Sequence, residues 1–335
     1  MLTFTLRRLL LAIPTHLVIS LVIFLLVDLA PGSPMSEIPL TVPPDVRQKM
    51  IEALGADQPV FVRYFLWLRQ FFWVEPMTLF DGWFGTHVVE GEQRILSWQS
   101  RSPVFTIIGQ RIPQTLTVIG TAYLVGILIA VPIGIYSAYR QYSWFDQAGT
   151  LFAMIGFSVP TFFSGTLLII IFAVWLGWFP TKYDTQLHVT SWASFLQQVK
   201  QMALPVMTLG LANAAAISRY MRSSMLDNMG MDYVRTARAK GMTERTVVLK
   251  HVLRNSLIPV VTVIALGIPA IFGGAIITEN LFGVNGIGAA LIGAIHANDI
   301  PMVQTLAFIF AVLIVLFNLI ADVLYGLLDP RIRYD

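Results

Sequence analysis

Residues Tyr233 to Gly241, reading YVRTARAKG, combine charge, small side chains and a closing glycine in a pattern that suits docking rather than bond making. Tyr233 and Ala237 lie four apart and so share one helical face. The small Ala237 and Ala239 permit close backbone approach, while Arg235, Arg238 and Lys240 carry the charge. The spacing predicts two short helices, Tyr233 to Lys240 and Thr243 to Leu253. Gly241 ends the first as a left-handed C-terminal glycine, and Thr243 begins the second. A basic loop can also serve as an anchor on anionic lipid; charge alone favours that reading, and it is the helix-glycine-helix order that brings in docking.

Elsewhere the groups that make and break bonds do not gather. With no cysteine, disulfides, thiolate metal sites and Cys nucleophiles are excluded. The five histidines (16, 87, 188, 251, 296) are scattered, and neither an H-E-x-x-H nor a G-x-S-x-G pattern is present. No Gly-Lys dipeptide occurs, so the chain lacks the phosphate-cradling G-x-x-x-x-G-K-[ST] loop and any ATP must be hydrolysed by another chain. Gly283, Gly286 and Gly288 miss the dinucleotide spacing and read as turn glycines of an external loop. Asp28, near the outer end of the first apolar run, and Asp322, four residues after Asn318, read as end-of-helix carboxylates reaching water or a neighbouring helix.

The elements that must carry the loop are apolar. Of 335 residues 56% are hydrophobic and only 12% charged, with a mean hydropathy of +0.70, where a soluble globule averages about 25% charged. The chain therefore reads as an all-α polytopic membrane protein. Runs free of Lys and Arg mark six spans, near Leu9–Ala30, Gln114–Tyr139, Thr150–Trp178, Met202–Ile217, Leu257–Ile277 and Gln304–Leu328. The fourth is short and rich in Gly and Ala, which suits burial among other helices. Pro14, Pro132, Pro160, Pro205, Pro259 and Pro269 fall in or beside these runs, and kinked helices suit a transport pathway.

Orientation follows from charge. If the amino terminus is cytoplasmic, Arg7, Arg8, Arg140, the Lys and Arg residues from Arg219 to Arg254, Arg331 and Arg333 lie inside, and the short outer loops hold Lys182 and Lys200. Both termini are thus expected in the cytoplasm of a multi-pass inner-membrane protein. The opening TLRRLLLAIP is similar to a signal peptide, but its apolar run is too long and no small-x-small site follows. The net charge of +3 does not call for nucleic acid.

The organisation expected is a start and first helix over 1–30, an external segment over 31–113, and a five-helix core over 114–330 that includes the cytoplasmic loop 219–256. In the external segment, Pro43-Pro44 opens a short helix to Leu54 that Gly55 can close. Asp57 can cap a second, whose Val60, Phe61, Tyr64, Phe65, Leu68, Phe71 and Phe72 recur at helical spacing. Such a stripe suits a helix on the membrane surface or on the bundle.

At the loop VRTARAKGMTERTVVLKHVLRNSLIPVV the chain resembles the permease subunits of bacterial ABC importers, in the dipeptide and oligopeptide branch, and the loop resembles their EAA motif. Matches recur from residue 4 to 334: LRRLLLAIPT, the APG at Ala30–Gly32, LGADQPVFVRYFLWL, RIPQTLTVIG from Arg111, VPIGIYSA from Val131, SVPTFF at Ser158 with LGWFP after it, LPVMTLGLA, ENLFGVNGIG from Glu279, and LLDPRIR. Arg235 stands where the general motif has Glu, followed by Thr236 and Ala237, and Pro259 lies farther from Gly241 than in the general pattern. The stretch ILSWQSRSPVFTIIGQ is longer than the family core needs.

The resemblance implies a type I ABC importer permease fold, with Tyr233, Arg235, Thr236, Ala237, Arg238, Ala239, Lys240 and Gly241 coupling the chain to an ATPase subunit. It implies a second homologous permease, two ATPase subunits holding ATP and Mg, an external solute-binding protein, surrounding membrane lipid, and no cofactor on this chain. The mechanism implied is alternating access driven by closure of the ATPase pair. Peptides are the expected cargo; relatives that look alike carry nickel, glutathione or oligosaccharides. The rival classes are a membrane enzyme, for which no local pattern proposes a site, and a stand-alone secondary transporter or channel. The latter would show buried mid-span carboxylates or inverted repeats with broken helices.

Overall fold

A computed structural model describes residues 2–29, 58–273 and 276–328. The Pro43 to Leu54 helix, the Asp57 cap, the APG and most of LLDPRIR, including Arg331 and Arg333, lie outside the described residues. Among the described residues five helices are long and apolar enough to cross a membrane: Arg7–Asp28, Val104–Tyr139, Trp192–Met229, Glu244–Pro269 and Ile300–Leu324. Two bent pairs, Trp144–Ser158 with Thr161–Trp175 and Ile276–Phe282 with Ile287–His296, raise the number to seven if each is one span. The six expected spans fall inside that range, with three differences. The third is broken by 105° beside Pro160, which supplies no backbone N–H to continue the preceding helix. The fourth is a 38-residue helix, because its polar flanks are also helical. The stretch around Gly283 to Gly288, expected as an external loop, joins the second bent pair, at 89°. Pro14, Pro132, Pro205, Pro259 and Pro269 interrupt no helix.

The chain forms two compact units. The first comprises Met1–Leu9, Gln114–Gly288 and Ile314–Asp335. Its spine is the helix Trp192–Met229, begun by a reciprocal Ser191/Ser194 capping box that satisfies otherwise orphaned amide donors. Small residues let neighbouring helices approach it. A Cβ at Gly134 would lie 2.6 Å from Met221 Cβ and 2.7 Å from the Ser218 carbonyl, and one at Gly126 would lie 3.0 Å from the Gly210 carbonyl. The VPIGIYSA and LPVMTLGLA motifs are thus close-packing devices. Arg222 grips Asp146 with two hydrogen bonds, 2.6 and 2.8 Å, fixing the start of helix Trp144–Ser158 to the spine. Arg8 pairs with Asp322.

ENLFGVNGIG is also a packing device. Glu279 is 1% exposed and accepts the Thr115 hydroxyl at 2.7 Å, while that hydroxyl accepts the Ile287 N–H at 2.9 Å. Gly283 turns the chain at φ +71, whereas Gly286 and Gly288 are small because Glu279 and Ile276 occupy the space a Cβ would fill. Only the first of the three is a turn glycine.

The second unit comprises Leu10–Pro113 and Ala289–Leu313. Helix Val60–Arg69 runs through a wider π turn, Gln70–Val74, into helix Glu75–Phe84, so the aromatic stripe is helical as expected, entered from Pro59. Phe24, Tyr64, Trp67, Phe71, Phe105 and Phe308 form one cluster of edge-to-face and tilted rings. The long ILSWQSRSP stretch has a use here. Ser97 and the Trp98 and Gln99 amides all donate to the buried Asp299 carboxylate, which also accepts from the Met302 amide at the start of helix Ile300–Leu328.

Candidate coupling loop

The loop between the spine and the next membrane-length helix holds one short helix and the turns that flank it. The spine ends at Gly230, and Met231, extended at φ −76 and ψ 151, starts the helix Asp232–Ala239, with Asp232 in the first turn where the helix dipole favours an acid. Gly241, at φ +74, ends it with a pair of reversed bonds. The Gly241 amide donates to the Arg238 carbonyl at 2.9 Å and the Met242 amide to the Ala237 carbonyl at 3.4 Å, the Schellman arrangement. Nothing lies within 4 Å of a Cβ built on Gly241. Its requirement for glycine is therefore one of backbone conformation and not of space.

Beyond the turn, Thr243 occupies the N-cap position of the following helix, but its hydroxyl meets Thr246 Oγ1 at 2.9 Å and caps no amide. The expected second short helix, Thr243 to Leu253, does not end. It passes through a π turn, Val247–Val252, straight into Leu253–Gly273, because Pro259 sits in a helix already under way. The loop therefore holds one short helix between two long ones.

The faces of that short helix are sharply divided. Tyr233, Val234 and Ala237 turn inward onto Met221, Met225, Val247, Val248 and Val252, with Val234 at 0% and Ala237 at 4% exposure. The Tyr233 hydroxyl donates to Asn228 Oδ1 at 2.7 Å. Met231, Arg235 and Ala239 recur every four residues on the outer face, beside Thr236, Lys240 and Met242, and all six are exposed. Of the two alanines, then, only Ala239 is available to a partner, while Ala237 is consumed by this chain's own core.

Charge is arranged to hold the turn. Arg238 donates to both oxygens of Glu244, at 3.1 and 2.7 Å, closing the Gly241 turn like a clasp. The hydrogen bond to Glu244, reinforced by its charge and opposed by partial burial, holds the Arg238 pKa above its ordinary value, so this guanidinium stays charged. Arg235 contacts Asp232 at 3.4 Å with both side chains exposed, an arrangement too solvated to fix either. Arg235 and Lys240 are the loop's outward cations.

Sequence reasoning missed Val234, Met231 and Met242, although the three-residue spacing of Val234 and Ala237 marks the inner face. It also missed a clasp behind the loop. Ser224 Oγ donates to the Ser256 carbonyl at 2.8 Å, and Ser256 Oγ sits 2.9 Å from the Val252 carbonyl and 3.2 Å from the Ser224 carbonyl. Two buried serines thus join the helices that flank the loop. No local pattern in the sequence marks a pair 32 residues apart.

Comparison with known proteins finds relatives over the whole length of the chain. Residues 130–334 match the family model of the binding-protein-dependent transport system inner membrane component, and residues 1–119 match the model of its N-terminal region. An oligopeptide transport system permease protein of Bacillus subtilis is 36% identical over 338 residues, covering 100% of both chains. A glutathione transport system permease protein of Salmonella choleraesuis is 38% identical, again covering 100% of both. The crystal structure of an amino acid ABC transporter is similar at 14% identity and TM-score 0.45, over 68% of this chain and 95% of that one. With a family model spanning most of the chain and relatives matching it end to end, this protein belongs to the binding-protein-dependent transport system inner membrane components, the multi-pass permeases of ABC importers that work with a solute-binding protein and ATPase partners.

Proposed function

We propose that this chain is one of two permease subunits in a peptide importer and that helix Asp232–Ala239 carries the closing motion of an ATPase subunit into the membrane. The observation that carries the substrate class is the end-to-end likeness to an oligopeptide permease at 36% identity and to a glutathione permease at 38%. Glutathione is itself a tripeptide, so short peptides are the chemistry common to both. Coupling is supported by the loop's build. A helix whose inner face is fused to the flanking spans and whose outer face is free can transmit a push without deforming. Hydrolysis is assigned to the partner subunits, because this sequence has no Gly-Lys phosphate loop.

Both termini are placed in the cytoplasm. The Lys and Arg distribution supports the cytoplasmic side, and the Arg8–Asp322 pair, which ties the start of the first helix to the last, supports both ends lying on one side. The purified assembly, reconstituted into vesicles with ATP and its binding protein, is expected to accumulate labelled di- to oligopeptides and to be inhibited by unlabelled peptides or glutathione. Transport that none of these competes for would overturn the peptide reading. ATP hydrolysis by this chain alone, freed of partner subunits, would overturn the division of labour.

A further inference from the structure

We infer that the external segment Val60–Phe84 is embedded in the outer half of the membrane alongside the first span, with its aromatic outer face against lipid, and is not a cap standing in water. The first observation is depth. The Tyr64 hydroxyl hydrogen-bonds Ser20 Oγ at 2.8 Å and the Leu17 carbonyl at 3.2 Å. Ser20 and Leu17 lie eight and eleven residues inside Asp28, roughly 12 and 16 Å along the helix at about 1.5 Å per residue. Those levels are well inside a hydrocarbon layer about 30 Å thick. Phe308, in the helix Ile300–Leu328, meets the rings of Trp67, Phe71 and Phe72 and that of His16, so the same depth is reached from a second span.

The second observation is the outer face. Phe61, Phe65, Phe72, Trp73, Trp83 and Phe84 are all more than half exposed, an apolar surface a water-borne cap would not carry. The first span likewise exposes apolar side chains, among them Val18, Val22 and Leu26.

The third is that each ionisable side chain of the segment has a partner, as burial in a medium of low polarity demands. Arg63 grips Asp28, Arg69 grips Glu92 through two bonds, and Glu75, wholly buried, accepts from Arg94 and the Ile95 amide. Asp81 accepts from Thr86 and the Val88 and Val89 amides. Aromatic side chains outward and charges neutralised in pairs, of which Arg69–Glu92 alone is exposed, are what a lipid-facing surface selects, so the occupant of this face is lipid.

The absence of cysteine makes the test direct. In the assembled transporter in phosphatidylcholine–phosphatidylglycerol vesicles, spin labels are placed singly by Phe65→Cys, Phe72→Cys and Trp83→Cys, with Val18→Cys as a lipid-facing standard and Glu90→Cys as a water-facing one. The three labels are expected to collide with oxygen as freely as Val18→Cys and to be as shielded from a water-soluble nickel chelate. Chelate collision at the level of Glu90→Cys overturns the inference, as does a label immobilised and shielded from both reagents, which would mean a protein partner. A second arm needs no label. Brominated acyl chains are expected to quench part of the intrinsic tryptophan emission, and Trp73→Phe with Trp83→Phe is expected to remove part of the quenchable fraction. A quenchable fraction unchanged by that pair of substitutions counts against lipid contact.

Discussion

Ala237 and Ala239 stand two residues apart and are predicted to fail in opposite ways when changed. Ala237→Glu puts a carboxylate where exposure is 4%, among the apolar side chains of the loop's own core, and a poorly compensated buried charge costs several kcal/mol. The loop should come off its own core, and the purified protein should lose thermal stability. Ala239→Glu sits on the exposed face, where a substitution is ordinarily worth within about 0.5 kcal/mol. It should leave the melting temperature unchanged and reduce retention of the ATPase subunits on affinity-purified permease. Full ATPase retention by Ala239→Glu would move the docking surface elsewhere. Gly241 tests conformation alone. Because a Cβ there meets nothing, Gly241→Asn, which tolerates φ > 0, should keep most transport. Gly241→Val, β-branched in a left-handed position, should lose it. Gly241 was readable from the sequence because a glycine after a helical run needs only local chemistry to interpret. That Ala237 faces inward was not, since Tyr233 and Ala237 on one face look the same whether that face meets a partner or this chain's own valines.

Helices were readable where hydrophobicity and capping agree, and misread where packing overrides both. The Met202–Ile217 stretch looks short because Gly210 and its small neighbours lower its hydrophobicity, yet those residues are what lets a 38-residue helix serve as the spine. The break at Pro160 was visible as a proline but not as a 105° bend, since the other prolines of the spans leave their helices whole. The stretch around Gly283 to Gly288 reads as external loop from its three glycines alone, and the buried Glu279, which fills the space beside Gly286 and Gly288, is what the sequence does not reveal. The same close packing predicts a contrast between two glycines. Gly134→Ala would drive a Cβ to 2.6 Å from that of Met221 and 2.7 Å from the Ser218 carbonyl, and overpacking of this kind costs about 1–3 kcal/mol. Gly120, with nothing within 4 Å of a built Cβ, should accept Ala freely. Thermal unfolding of the two variants in detergent should show a lowered midpoint for Gly134→Ala alone; equal midpoints would mean that the two helices part easily.

At the scale of the whole chain the reading rests on which side each connection faces, and composition gave that argument only through charge. Thirty-eight residues of helix before the loop and a 26-residue apolar helix after it require the loop to project from the membrane, but length does not say on which side. The proposed cytoplasmic side rests on the cations, because moving Arg235, Arg238, Lys240, Arg245, Lys250 and Arg254 across the bilayer opposes the inside-positive bias of insertion. A docking role for Ala239 has meaning only if ATP is available on that same side. Since the chain has no cysteine, one can be introduced at a time without background. Glu90, His188 and Arg245 are exposed, so labelling at these positions reports sidedness and not burial. In intact cells Glu90→Cys and His188→Cys should react with a membrane-impermeant maleimide, while Arg245→Cys should react only after the membrane is opened. Labelling of Arg245→Cys from outside would invert the molecule, put helix Asp232–Ala239 beyond the reach of any ATPase and remove the coupling proposal, leaving the packing of both units as it stands.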